Sequence, residues 1–113
     1  MLRGGLKMEG RVVNDKGGVK NDLLKPDWSL IDLSIVEEMA KVLTYGANKY
    51  DRHNYDKVEP HRYLAALMRH ITAWQQGEVT DKESGFHHLS HAMTNLHILM
   101  RLEDKGIFYN KDD

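Results

Sequence analysis

Ionisable side chains are concentrated between Arg69 and Asn95, within a chain of 113 residues. Imidazoles, carboxylates and a guanidinium follow one another there, and two helix-compatible stretches flank a polar turn. His88, His91 and Asn95 stand at positions i, i+3 and i+7, so a helix through them presents all three on one face. Such a face suits a divalent cation, a phosphorylated ligand, or both.

Two acids, Asp81 and Glu83, lie in the turn just ahead of the histidines. Each alone could be a solvated loop residue or a first-turn acid favoured by the helix dipole. Beside the histidines they would supply the oxygen ligands that Mg²⁺ or Mn²⁺ requires. We therefore predict a site for a divalent metal ion, Mg²⁺, Mn²⁺ or Co²⁺, and the mixture of imidazole and carboxylate favours Mn²⁺, Co²⁺ or Zn²⁺ over Mg²⁺. The predicted ligands are Asp81, Glu83, His88 and His91, and Glu38 or His70 could complete the set.

Cations and aromatic side chains suited to a nucleotide occur in two other places. Arg69 lies on a helix whose outward face is small, which leaves room for a ligand, although a structural ion pair is an equally open interpretation. Lys49-Tyr50 and Asn54-Tyr55 could provide a cation for phosphate and aromatic faces for a base. No P-loop, dinucleotide fingerprint or nucleophile elbow is found. These side chains support metal-assisted hydrolysis.

Three amphipathic helices are predicted to position these residues. The first begins near Ser34, a predicted N-cap with Glu37 at the capping-box spacing, and ends around Lys49-Tyr50. The second runs from Pro60 to Gly77, and its predicted buried stripe is Tyr63, Leu64, Leu67, Ile71 and Trp74. The third runs from about Ser84 or Gly85 to Asp104, and its predicted apolar stripe is Leu89, Met93, Leu96 and Met100. His97 lies on neither the polar nor the apolar stripe of this helix, so we assign it a structural role.

The predicted fold class is all-α, with a flexible N-terminal arm over residues 1–21, a helical domain over residues 22–109 and a charged tail over residues 110–113. Three helices with narrow stripes make a thin core, which favours completion by a second copy of the chain. Net charge is −1 without a basic patch, so we expect no nucleic-acid partner. The chain has no cysteine, which excludes disulfides and thiolate metal sites. It has no apolar run of membrane-spanning length, so we expect no membrane partner and a cytoplasmic location.

The order of these motifs resembles the dATP/dGTP diphosphohydrolase (MazZ-type) family of tailed phages. The resemblance covers roughly Val19 to Leu102 and rests on Asp22-x-x-Lys25-Pro26, Tyr45-Gly46-Ala47-x-Lys49-Tyr50, Asn54-Tyr55, Arg69-His70, Gly77-Glu78-x-x-Asp81-x-Glu83-Ser84-Gly85, His88-x-x-His91-Ala92 and Asn95. It implies a MazG-like helical bundle that cleaves a nucleoside triphosphate to monophosphate and pyrophosphate, working as a homo-dimer or homo-tetramer with divalent cations. In a phage this activity reshapes the nucleotide pool of the host cytoplasm.

The chain departs from the wider MazG-like pattern, which has Glu-x-x-Glu on one helix and Glu-x-x-Asp on the next. Here Glu38 is followed by Lys41, and His88-x-x-His91 stands where acids are expected. The typical Asn-Trp also appears as Asn54-Tyr55. The metal ligands are therefore predicted from the local residues and not from the superfamily.

The resulting hypothesis is a hydrolase acting on acid anhydrides, with dGTP and dATP as substrates. Its predicted catalytic residues are Lys49, Arg69 and Glu83, and its predicted substrate-binding residues are Lys49, Tyr50, Asn54, Arg69 and Asn95. An HD-type metal phosphohydrolase is an alternative, although the chain lacks its His-Asp dipeptide. A non-catalytic helical module that binds a nucleotide or a protein is another.

Overall fold

The computed structural model describes residues 11–21 and 23–112. It divides the chain into two compact units, residues 1–32 and residues 33–113. Residues 1–10 of the predicted arm lie outside the described residues, as do Asp22 and Asp113.

The first unit contains a short β-hairpin. Strand β1 (Arg11–Val13) pairs antiparallel with β2 (Val19–Asn21), with Val13 opposite Val19. The side chain of Asn14 accepts hydrogen bonds from the backbone N–H groups of Lys16 and Gly18, at 2.9 and 2.8 Å, and so builds the turn. We predicted no regular structure here, because strands of three residues are too short to show an alternating pattern.

The second unit is helical, which confirms the all-α prediction for this part of the chain. It comprises α1 (Leu33–Lys49), a 3₁₀ turn (Asn54–Lys57), α2 (Pro60–Gln75) and α3 (His88–Asp104). Proline at the first position of α2 agrees with the prediction, since its missing N–H costs nothing there.

Two predicted helix starts differ from the structure. Helix α1 begins at Leu33, so Ser34 lies inside the first turn and is not the N-cap. Helix α3 begins only at His88, because residues 81–87 form a tight turn instead of a first helical turn. His87 is the N-cap, and its Nδ1 accepts the backbone N–H of Leu89 at 2.9 Å.

Helix α3 is the centre of the second unit, with α2 and α1 both packed against it. The end of α2 meets the start of α3, so the two helices form an antiparallel hairpin. At the other end of α3, Arg101 and Lys105 bind Asp56 of the 3₁₀ turn, at 3.2 and 2.9 Å. These ion pairs hold the chain between α1 and α2 against the helical hairpin.

The buried face of α3 is largely polar. Among the described residues the buried hydrophobic side chains are Val42, Ala92, Ile98 and Leu102, and the buried polar ones are His88, Ser90, Thr94 and Asn95. The predicted apolar stripe of α3 instead points outward, with Leu96 51 % and Met100 75 % exposed. Periodicity thus identifies an apolar face of α3 but not the surface that covers it. Within the described part of the chain, no helix is long and apolar enough to cross a membrane.

Candidate active site

The α2–α3 connection (residues 76–87) brings an acid to the start of α3. The backbone N–H of Asp81 donates to the carbonyl of Phe86, and the N–H of Gly85 donates to the carbonyl of Asp81, both at 2.8 Å. Gly85 has φ +81°, a conformation that side chains with a Cβ disfavour. A single bridge between Thr80 and His87 closes the loop. Asp81 is thereby fixed next to the first turn of α3.

Three potential metal ligands converge from three elements: His70 from α2, Asp81 from the connection and His88 from α3. Their ligand atoms all lie within 4.8 Å of one another, and the Nδ1 atoms of the two histidines are 2.9 Å apart. His88 is buried at 3 % exposure, and the other two are half-buried. Two imidazole nitrogens and one carboxylate oxygen fit a divalent ion such as Mn²⁺, Co²⁺ or Zn²⁺.

His91 lies beside this cluster and contacts its members differently. Its ring stacks on His70, with centroids 4.4 Å apart and planes at 4°. Its Nε2 lies 2.6 Å from the Ser84 hydroxyl and 3.8 Å from Asp81 Oδ2. Because an ionised carboxylate is the strongest acceptor nearby, the Ser84 hydroxyl donates to Asp81, at 2.8 Å, and accepts from His91. The structure thus groups His70, and not His91, with His88 and Asp81.

The surroundings of the cluster favour the protonation states that bind metal. Burial lowers the pKa of His70, and the neighbouring His91 and His88 lower it further. Burial also lowers the pKa of His91. Burial opposes ionisation of Asp81, but hydrogen bonds from the Ser84 hydroxyl and backbone outweigh it, so the pKa of Asp81 is lowered. Neutral imidazoles and an ionised carboxylate are the forms in which these groups are ligands.

A polar cleft of about 390 Å³ opens over the cluster, and two cationic side chains line it. Lys49 and Arg69 line it together with Glu83, whose carboxylate lies 3.6 Å from Lys49 Nζ. The neighbouring Tyr45 and Tyr50 raise the pKa of Lys49, so this side chain is cationic at neutral pH. Glu83 is 80 % exposed at the rim of the cleft. The predicted phosphate-binding residues and the metal cluster therefore share one cleft.

A second, more apolar cavity of about 180 Å³ adjoins the cleft. The predicted substrate-binding residues Tyr50, Asn54 and Asn95 line it. Tyr45 and His91 line both spaces, so the two are neighbours with a common wall. Glu38 lines neither space, and its carboxylate lies 3.6 Å from Lys41 Nζ.

Comparison with known proteins identifies the family of the chain. The model of the family described as dATP/dGTP diphosphohydrolase, N-terminal, matches residues 15–112. The chain belongs to this family. The family resemblance inferred from the motif order is therefore confirmed, and the match contains every candidate site residue. No solved structure matches the chain.

A relative named dATP/dGTP diphosphohydrolase, from Salmonella phage PMBT28, is 39 % identical over 79 residues. The aligned segment is 70 % of this chain but 27 % of the relative. The chain thus spans about a quarter of the length of that relative.

Sequence reasoning missed one contact of the cluster. The carboxylate of Glu78 lies 2.7 Å from His88 Nε2, on the side of the ring away from His70. Glu78 directly follows the glycine after α2, and a single acid at a helix end carries no signal of its own.

Proposed function

We propose that this chain hydrolyses purine deoxynucleoside triphosphates, dGTP or dATP, to the monophosphate and pyrophosphate, with a divalent metal ion as cofactor. The observation that supports this most directly is the placement of a His–Asp–His cluster in the same cleft as Lys49 and Arg69. Metal ligands beside cations are what the anionic phosphates of a nucleotide require. The family to which the chain belongs and the name of its phage relative supply the substrate class.

His70, Asp81 and His88 would hold the ion, through two nitrogens and one oxygen. When bound, a divalent ion polarises a phosphoryl group and lowers the pKa of an attacking water. Glu83 and His91 line the same cleft and are the next candidates as ligands. Glu38 lies outside the cleft and pairs with Lys41, so it is the weakest candidate among the predicted metal ligands.

Lys49 and Arg69 would neutralise the charge that develops on the phosphate oxygens. Glu83 lies against Lys49, so its carboxylate holds the ammonium group at the rim of the cleft. This exposed pair is weak by itself, and an incoming phosphate can compete for the lysine. Glu83 is therefore a catalytic candidate in two ways: it can position Lys49, and it can serve as a ligand of the ion.

The apolar cavity would receive the base and sugar. Tyr50 offers an aromatic face, whereas Asn54 and Asn95 offer amide groups for hydrogen bonds. Because Tyr45 and His91 line both spaces, a nucleotide with its base in the cavity would reach the cleft with its phosphates. We further propose that the chain acts as a homo-dimer or homo-tetramer in the cytoplasm of a host cell, where it adjusts a phage nucleotide pool.

Turnover of the four common dNTPs with Mg²⁺, Mn²⁺ or Co²⁺ tests this proposal. We expect hydrolysis of dGTP and dATP that EDTA stops, and loss of hydrolysis in His88→Ala. Lys82→Ala is the matched control, because Lys82 belongs to the same segment but is 89 % exposed and outside the cleft. Absence of metal-dependent turnover with every dNTP would contradict the proposal and favour a non-catalytic binding module.

A further inference from the structure

Glu78 contacts His88, the buried histidine of the metal cluster, on the side of the ring opposite His70. Its Oε1 lies 2.7 Å from His88 Nε2, and His88 Nδ1 faces His70. The backbone fixes Glu78 on both sides: its own N–H donates to the carbonyl of Ala73 at 3.0 Å, and the N–H of His88 donates to the carbonyl of Val79 at 2.8 Å. The backbone at Glu78 is therefore anchored relative to both helices that carry the histidines.

This contact decides which nitrogen of His88 carries the proton. An ionised carboxylate only accepts hydrogen bonds, so His88 Nε2 must be the N–H donor. In the neutral imidazole the lone pair then lies on Nδ1. That atom is the one that points into the cluster, 2.9 Å from His70 Nδ1.

We propose that Glu78 is a positioning residue that holds His88 in the Nε2–H tautomer, so that His88 binds the metal ion through Nδ1. The inference rests on the proposed metal site. Carboxylate–histidine–metal arrangements of this kind fix the ring orientation and raise the basicity of the ligand nitrogen. Glu78 touches no other cluster member among the described contacts, so its effect passes through His88.

The tautomer of His70 follows from the same contact. Without metal, the lone pair on His88 Nδ1 accepts a hydrogen bond, so His70 Nδ1 must be the donor. Nδ1 is the His70 nitrogen that faces His88, so it is the atom that would bind the ion and would then need a lone pair. His70 would therefore change from the Nδ1–H to the Nε2–H tautomer when the ion binds, whereas His88 would keep its tautomer.

Two measurements on the whole chain test this inference, with Zn²⁺ as a diamagnetic probe. Two-bond ¹H–¹⁵N correlation spectra of histidine-labelled protein report each tautomer, and calorimetry reports Zn²⁺ affinity, with His88→Ala identifying the signal from this site. We expect His88 as Nε2–H with and without Zn²⁺, and a tautomer change at His70 on binding. Zn²⁺ affinity should fall roughly 10–100-fold in Glu78→Ala.

Matched variants distinguish a positioning role of Glu78 from a general effect of charge near the site. Glu78→Gln keeps the size of the side chain and should lose affinity to an intermediate degree, which also covers the case in which Glu78→Ala does not fold. Lys82→Ala removes the other partner of Glu78, 3.8 Å away, and should leave affinity unchanged. His88 in the Nδ1–H form, or wild-type affinity in both Glu78 variants, would overturn the inference while leaving the metal site intact. A wild-type protein without Zn²⁺ binding at His88 would overturn both.

Discussion

At the scale of single residues, the chain brings two imidazoles and a carboxylate together at one point. Asp81 and His88 could be predicted from the sequence, because a turn acid and an N-terminal helix histidine are close along the chain. His70 was predicted only as a residue that could complete the set, and its place in the cluster ahead of His91 could not be predicted. The pairing of residue 70 with residue 88 depends on how α2 and α3 are aligned, which no local pattern encodes.

Removing a cluster ligand should lower metal affinity and turnover far more than removing a histidine of α3 that lies outside the cluster. We expect His70→Ala to lower both metal affinity and turnover by more than ~100-fold, the upper range for residues that only support a ligand. His97→Ala, a histidine outside both the cleft and the cavity, should leave them nearly unchanged. Calorimetry and steady-state kinetics provide the comparison. Near-normal affinity in His70→Ala, together with loss in His91→Ala, would move the ligand set to His88 and His91.

The pH dependence of metal binding should reflect the burial of the histidines. Protons compete with the metal for an imidazole, so affinity falls as pH drops through the pKa of the ligand. Burial lowers the pKa of His70, so this fall should occur below ~6.5, the ordinary value for histidine. Calorimetric titrations across the acidic range would locate the midpoint. A midpoint at the ordinary value would indicate that the ligands are exposed histidines.

At the scale of elements, the three helices follow from periodicity, from Pro60 and from the glycines after α2 and α3. The direction of the apolar stripe on α3 could not be predicted, since Leu96 and Met100 face outward while Thr94 and Asn95 are buried. The pattern of a single helix does not encode which of its faces its neighbours will cover. The hairpin at residues 11–21 escaped prediction because its strands are so short.

Glycines in the α2–α3 connection and in α1 should respond to alanine in opposite directions. Gly85 has φ +81° with open space around it, so Gly85→Ala should destabilise the fold through backbone strain alone, by ~1–2 kcal/mol. Gly46 is helical with equally open space, so Gly46→Ala should stabilise it by roughly 0.5–1 kcal/mol. Urea denaturation measures both. Equal effects of the two substitutions would show that the connection does not hold the conformation described.

At the scale of the whole molecule, the described part of the second unit exposes more large hydrophobic side chains than it buries. Its α2 and α3 expose Met68, Trp74, Leu96 and Met100, whereas the described core has four buried hydrophobic residues. Apolar side chains grouped on helix faces are typical of surfaces that another chain covers. The proposed homo-oligomer would cover these faces.

A charge placed on that surface should separate the subunits. We expect light scattering to show a dimer or tetramer for the wild-type chain at micromolar concentration, and a smaller species for Leu96→Glu, because a carboxylate buried in an apolar interface is costly. Lys82→Glu, a charge change at an 89 % exposed side chain, should not alter the assembly. A monomeric wild-type chain would contradict the proposal.

The identity of the bond that is broken tests the proposed reaction most directly. Incubation of the chain with dGTP and Mg²⁺ or Mn²⁺, followed by EDTA and ³¹P NMR, resolves every phosphorus-containing product. We predict one equivalent each of dGMP and pyrophosphate. Deoxyguanosine with inorganic triphosphate, which an HD-type phosphohydrolase releases, or dGDP with orthophosphate, would contradict hydrolysis between the α- and β-phosphates.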